Sequence, residues 1–258
     1  MTWPPAIMQS LRPLALRVPR SSLFQAQSIT RQAATSSRTA TIEQDKNSKR
    51  PLRLMPLGGS ITYGIGSTDG NGYRKALYDM LVARGYAVEM VGSRNSGSML
   101  NNANEGWPGR RIDQLHSKAL KPTAKFLPDI FTVNAGSNDC LQDYEIGSAG
   151  DRLDAMLDDL WKTGLPDATV VLSTLVVAAD GTVNERVLRV NEQIRKLVEK
   201  KQSVGERRVF LADMYSSAGP QVGDLVEDGI HPSDCGYERM ASIWADSIEK
   251  AARAGVLL

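Results

Sequence analysis

Two cysteines and two histidines among 258 residues leave little room for several kinds of chemistry. Cys140 and Cys235 are too few for a disulfide framework. With His116 and His231 at unrelated positions they do not assemble the usual zinc site either, so no metal and no other cofactor is expected. No stretch approaches the ~18 continuous apolar residues of a membrane-spanning helix. Acid is missing from residues 1–42, which hold five arginines (Arg12, Arg17, Arg20, Arg31, Arg38), no lysine and no Asp or Glu. Setting those five apart from the 31 basic and 29 acidic residues turns a formal charge of +2 into −3 for the remainder. A mildly acidic body has no basic patch with which to follow phosphates, which excludes nucleic acid as an expected partner.

The acid-free leader is rich in Arg, Ser, Thr, Gln and Ala and shows no sustained core periodicity. That composition matches a mitochondrial transit peptide, and the arginines at 12, 17 and 20 interrupt any apolar core of a secretory signal. The competing reading is a disordered extension, which leaves the protein cytoplasmic. Residues 1–42 are therefore expected as a targeting or disordered segment, and 43–258 as the folded domain.

What is present is an ordinary globular balance, 41% apolar and 23% charged. The apolar run from Leu52 to Leu57 reads as a buried strand that ends at Gly58-Gly59-Ser60. Helical spacing of Ala76, Leu77, Met80 and Leu81 predicts a helix over 73–84, which Gly85 stops. A strand follows over 86–91, then a long Ser/Asn/Gly loop over 92–109. A short helix over 112–120 precedes a third strand over 129–135, and a helix over 151–162 precedes a fourth over 168–174. A long helix over 183–201, a fifth strand over 208–213 and a last helix over 235–252 complete the order. Five strands alternating with helices predict one α/β domain, a three-layer α/β/α sandwich on a five-stranded parallel sheet.

Three loops at one sheet edge carry the candidate chemistry, as expected where open α/β sheets bind ligands. The first presents Ser60. The second is Gly136-Ser137-Asn138-Asp139 after the third strand, and the third is Asp228-Gly229-Ile230-His231-Pro232. The long loop adds Glu105-Gly106-Trp107-Pro108-Gly109. A serine hydroxyl needs a base to take its proton as it attacks. His231 qualifies, with Asp228 three residues before it to orient the ring and Pro232 after it to hold an extended backbone. His116, in a Lys-flanked polar helix, is expected to face solvent. Backbone N–H groups at Ser60 and Gly109 and the Asn138 amide could supply three donors to an oxyanion. Taken singly, each stretch also reads as a turn, with Ser233 or Asp234 as the cap of the last helix.

In this order, the four blocks resemble the SGNH hydrolase superfamily, also called GDSL esterases and lipases. The resemblance runs over roughly residues 51–253. Met55-Pro56-Leu57-Gly58 and Glu105-Gly106-Trp107-Pro108-Gly109 look like its carbohydrate esterase branch, which includes acetyl xylan esterases. The resemblance implies a flavodoxin-like α/β/α fold and ester hydrolysis through an acyl-enzyme. It makes Ser60 nucleophile and first oxyanion donor, Gly109 and Asn138 the other donors, His231 the base and Asp228 its orienting acid. The implied partner is a small-molecule ester, with an acetyl ester of a sugar or other hydroxylated acceptor in first place. A lipid, thioester or secondary-metabolite ester on the same site, and a binding protein that keeps the fold, remain as alternatives. One departure stands out: glycine occupies the place of the aspartate in the usual Gly-Asp-Ser, which puts in doubt the hydrogen bonds that brace the serine loop. The G-x-S-x-G elbow of the other large esterase fold is absent, and Gly58-Gly59-Ser60 lacks the spacing and lysine of a P-loop. Cys140 and Cys235 each follow one of these motifs, and a bridge would need their Cα atoms ~5.5–6 Å apart. Two free thiols, buried or half-buried, are expected instead. The oligomeric state is left open.

Overall fold

The computed structural model describes residues 50–203 and 208–257. The leader expected over 1–42 lies outside these residues. Strand β1 (Leu52–Gly58) is the axis of the sheet, with six of its seven residues buried. It pairs in parallel with β5 (Ile130–Asn134) on one edge, and β5 continues in parallel to β6 (Thr169–Ser173) and β7 (Val209–Ala212). Its other edge is shared by two short strands. β2 (Val88–Met90) pairs with Leu52–Leu54, and β4 (Ala103–Gly106) pairs with Leu57 and Gly58. The break between them falls at Pro56, a residue that has no N–H to give to a ladder.

The sheet therefore has seven strands where five were expected, and the reason is local. β2 and β4 together fill one strand position, and β3 (Arg94–Asn95) pairs antiparallel with β4 outside it. The stretch over 92–109, read from its Ser, Asn and Gly content as loop, contains both extra strands. With β2 and β4 taken as one position, the spatial order is the flavodoxin-like 2-1-3-4-5.

Side-chain alternation sorts the sheet residues into two cores. Leu54, Ile130 and Val171 face one layer, formed by α2 (Tyr73–Ala83) and α7 (Asp234–Arg253), where Leu77, Leu81, Met240, Trp244 and Ile248 are buried. Met55, Leu57, Phe131, Val133, Val170 and Leu172 face the other. That layer is formed by α3 (Ile112–Phe126), α5 (Ala149–Thr163) and α6 (Gly181–Ser203). Helices on both faces explain why β5 and β6 are buried at every position. Removing a side chain such as Leu57 from this core costs about 2–5 kcal/mol, because the close-packed surroundings cannot fill the hole.

Two helices begin directly at the chemistry-bearing loops: α1 (Ser60–Tyr63) at the end of β1 and α4 (Ser137–Gln142) at the end of β5. α4 was legible only as Gly-Ser-Asn-Asp turn chemistry. α3 runs through Pro122 to Phe126, beyond its expected end at Leu120, with Ala119, Pro122 and Thr123 all buried on one face. The burial of that face outweighs the lost backbone hydrogen bond. α7 is capped by Ser233, whose Oγ accepts from the Gly236 N–H at 3.5 Å. Cys140 is buried, Cys235 is exposed and both are free thiols, so the expected absence of a bridge holds while the burial expected for Cys235 does not. Among the described residues no helix is long and apolar enough to cross a membrane.

Candidate active site

β1 must deliver its last residues between β5 and β4, and this sets the glycines before the serine. A Cβ at Gly58 would lie 2.3 Å from the Asn134 carbonyl oxygen and 2.4 Å from Thr62 Oγ1, so no larger residue fits without moving backbone. The chain then turns into α1, which Ser60 opens. As the first residue of a helix, Ser60 has an N–H with no intrahelical acceptor. The half-buried Ser60 keeps its hydroxyl at the sheet edge, where the turn before α7 meets it.

That turn is organised by Asp228. Its Oδ1 accepts the N–H groups of Ile230 and His231, both at 2.9 Å, and its Oδ2 faces His231 Nδ1 at 2.6 Å. On the far side of the ring, His231 Nε2 is 2.7 Å from Ser60 Oγ. The structure thus brings Ser60, His231 and Asp228 into one hydrogen-bonded line across 171 positions of sequence. Burial pushes the Asp228 carboxyl upward, but the hydrogen bonds from the His231 ring and the two N–H groups outweigh it and hold it below the usual carboxylate range. The carboxylate is ionised at neutral pH, so it accepts from Nδ1–H and leaves Nε2 as the acceptor facing the hydroxyl.

Asn138 sits in the first turn of α4, buried beside Gly59, where an added Cβ would come 3.2 Å from Asn138 Nδ2. One amide hydrogen is given to the Arg110 carbonyl at 3.1 Å, and an amide nitrogen has a second to offer. Gly109 has φ +75°, while a Cβ there would meet nothing within 4 Å. Backbone conformation, not crowding, asks for glycine at that position. Ser60 and Asn138 line a narrow cleft of about 10 Å³, together with Gly59, Asn134, Arg110 and Leu115.

Several residues that position this site had no role assigned from the sequence, although Asp139, Glu105 and Trp107 stand within its motifs. Asp139, fully buried, accepts the Ile112 N–H at Oδ2 (3.1 Å) and Arg152 Nη1 at Oδ1 (2.5 Å). It therefore ties α4 to the start of α3 and to α5. Burial raises its pKa, against the opposing pull of Arg152 and the Ile112 N–H. Gln142 Nε2 donates to the Gly109 carbonyl at 3.3 Å, and Arg111 donates to Gln142 Oε1 at 2.8 Å. Buried Glu105 accepts from the Trp107 indole at 2.9 Å and from the Ser93 N–H. Trp107 is covered by the cations of Arg94, 4.2 Å from the ring centroid, and Lys118, 4.1 Å away.

With glycine at 59, the loop after Ser60 is held from elsewhere. Arg74, fully buried, donates to the carbonyls of Tyr63, Gly70, Ser96 and Asn102 at 2.9–3.2 Å. Tyr237 donates its hydroxyl to the Ile65 carbonyl. Buried arginine with this many acceptors signals a folded loop, yet the Gly-Tyr-Arg sequence alone carries no such mark. His116 differs from its expected place facing solvent: it is half-buried, with Nε2 3.0 Å from Asp159 Oδ2 on α5, a hydrogen-bond partner that lies 43 positions away. Among the described residues no three His, Cys, Asp or Glu side chains are grouped to hold a metal ion.

A model of the GDSL-like lipase/acylhydrolase family matches residues 57–239. A multidomain esterase of Ruminococcus flavefaciens is 30% identical over 231 residues, a match that covers 79% of this chain and 29% of that protein. The chain thus spans well under half the length of that curated relative. Among solved structures, the Clostridium thermocellum family 3 carbohydrate esterase superposes with a TM-score of 0.71 at 25% identity, covering 80% of this chain and 100% of that one. A family 3 carbohydrate esterase from Talaromyces cellulolyticus gives 0.68 at 21% identity, with 79% and 99% covered. Axe2, an acetylxylan esterase from Geobacillus stearothermophilus, gives 0.59 at 15%, with 76% and 93% covered. The last two likenesses bear on the fold alone.

Proposed function

Because the chain belongs to the GDSL-like lipase/acylhydrolase family, we propose that it is a serine esterase that removes a small acyl group, acetyl in first place, from a sugar or other hydroxylated acceptor. The observation that carries this reading is the line from Ser60 Oγ through His231 Nε2 to Asp228 Oδ2, with contacts of 2.7 and 2.6 Å. Ser60 Oγ attacks the ester carbonyl carbon while His231 Nε2 takes the hydroxyl proton. Asp228 holds the ring in the tautomer this requires and stabilises the imidazolium that forms. The negative oxygen of the tetrahedral intermediate is met by the N–H groups of Ser60 and Gly109 and by the second amide hydrogen of Asn138. Each such donor lowers the barrier by about 2.7–4 kcal/mol when preorganised.

Collapse of the intermediate breaks the C–O bond to the alcohol, which leaves with the proton from His231. Water, deprotonated by the same base, then releases the acid and restores Ser60. Two observations favour a small acyl group. The cleft beside Ser60 is narrow, about 10 Å³, where pockets for larger ligands reach ~300–1,000 Å³. The named carbohydrate and acetylxylan esterases among the structural neighbours belong to the same fold.

Hydrolysis of para-nitrophenyl esters of increasing chain length by the full chain, beside Ser60→Ala, tests the proposal. Turnover is expected to be fastest with acetate, to fade as the chain lengthens, and to fall at least about 10³-fold in the variant. A preference for long chains would transfer the site to lipids or thioesters. A folded protein without turnover on any ester would make it a binding protein.

A further inference from the structure

Resting on the esterase reading, the geometry points to Arg110 as a specificity-determining residue that selects esters whose alcohol portion carries a carboxylate. Arg110 is the one charged residue among the described residues that line the cleft beside Ser60, and no Asp or Glu lines it. The acid nearest in sequence on the neighbouring wall, Asp139, is turned away into its pair with Arg152. Asp228 meets the opposite ring nitrogen of His231 from the one that faces Ser60. No carboxylate lines the cleft to pair with Arg110.

The neighbouring arginines are all engaged. Arg111 reaches Asp113 and Gln142 and lies over the Tyr144 ring, Arg152 reaches Asp139, and Arg94 lies over Trp107. The Arg110 side chain is exposed and makes no hydrogen bond or ion pair among the described residues. Its backbone, by contrast, is held: its N–H donates to the Trp107 carbonyl at 3.2 Å, and its carbonyl accepts from Asn138 at 3.1 Å. A backbone fixed beside Asn138 and an exposed, unpaired guanidinium on the residue after Gly109 suit bidentate capture of a carboxylate. Arg110 is exposed at this edge, so the carboxylate it meets belongs to a part of the substrate that lies toward solvent, away from the acyl carbon at Ser60.

The test compares 3- and 4-acetoxybenzoate with their neutral methyl esters, using the full chain, wild type against Arg110→Gln and Arg110→Lys. The quantity read is the ratio of kcat/KM for the anionic ester to that for its neutral partner. Comparing the ratio between proteins cancels the intrinsic difference in leaving groups. Arg110→Gln is expected to lower the ratio about five- to tenfold, a factor between those of an exposed ion pair and a desolvated bidentate one. Arg110→Lys, a point charge without the fork, is expected to lower it by less. The wild-type ratio should fall as salt rises, and the Arg110→Gln ratio should not. A ratio unmoved by Arg110→Gln for both isomers overturns the role of Arg110 while the esterase reading stands. Failure of the folded wild type on the neutral esters overturns that reading, and this inference with it.

Discussion

Replacing Asp228 by asparagine separates what this side chain does for the turn from what it does for the imidazole. Its Oδ1 accepts two backbone N–H groups at 2.9 Å, and its Oδ2 faces His231 Nδ1 at 2.6 Å. An asparagine keeps one oxygen for the two N–H groups, so the turn survives. Its amide nitrogen then faces Nδ1 as a donor, Nδ1 must accept, and the ring proton moves to Nε2. That proton points at Ser60 Oγ, 2.7 Å away, and the ring can no longer take the serine's proton. The Asp228 side chain is 43% exposed, so solvent screens the purely electrostatic part and the tautomer carries most of the loss. We expect kcat on para-nitrophenyl acetate to fall about 10³- to 10⁴-fold, with stability changed by under about 1 kcal/mol. Asp228→Ala also removes the one oxygen that accepts both N–H groups, and should lower the thermal midpoint further than asparagine does. A kcat for Asp228→Asn within tenfold of wild type would refute the assignment of Asp228 as the orienting acid.

Gly58→Ala puts a Cβ 2.3 Å from the Asn134 carbonyl and is expected to destabilise by about 1–3 kcal/mol with loss of activity; a melt within about 0.5 kcal/mol of wild type would contradict it. Asp139→Ala leaves Arg152 Nη1 and the Ile112 N–H without their acceptor and should cost about 3 kcal/mol in denaturant unfolding, with Asp139→Asn recovering part. Burial pushes the Cys140 thiol up to about 12, so a thiol reagent at pH 8 should titrate one cysteine, the exposed Cys235, in the native protein and two after denaturation. Asp129 and Asp154 are pushed up by burial, yet hydrogen bonds from Arg50 and Arg53, and from Lys201 and Lys200, hold both below the usual range. Their stabilisation is present above the unfolded carboxylate value of ~3.9 and is lost as pH falls through their lower folded values. The thermal midpoint should therefore stay level from pH 7 to about 5 and drop below about 4, less steeply in Asp154→Asn.

Much of the architecture was written in short-range pattern. The apolar runs of β1, β5 and β6 and the helical faces of α2, α5 and α7 are local signals, and burial on both sides of the sheet leaves them no other place. Ser60, Asn138, Asp228 and His231 stood out because few residue types can do acyl chemistry and because glycines and prolines marked their loops. The expected order of elements followed from the same alternation of patterns.

Other features needed the chain folded. Two extra strands in the 92–109 stretch form because β1 and its neighbours offer open edges to short segments that have no strand pattern of their own. α3 passes through Pro122 because the burial of its face outweighs a local penalty. His116 finds Asp159, Asp139 finds Arg152, and Arg74 gathers four carbonyls, each through partners set by packing and not by spacing in sequence. The 2.7 Å contact of His231 with Ser60 is of the same kind. The sequence determined which residues are able to react and which segments carry them to one sheet edge. Tertiary structure alone decided their distances, since a hydrogen bond across 171 positions depends on every element packed between its ends.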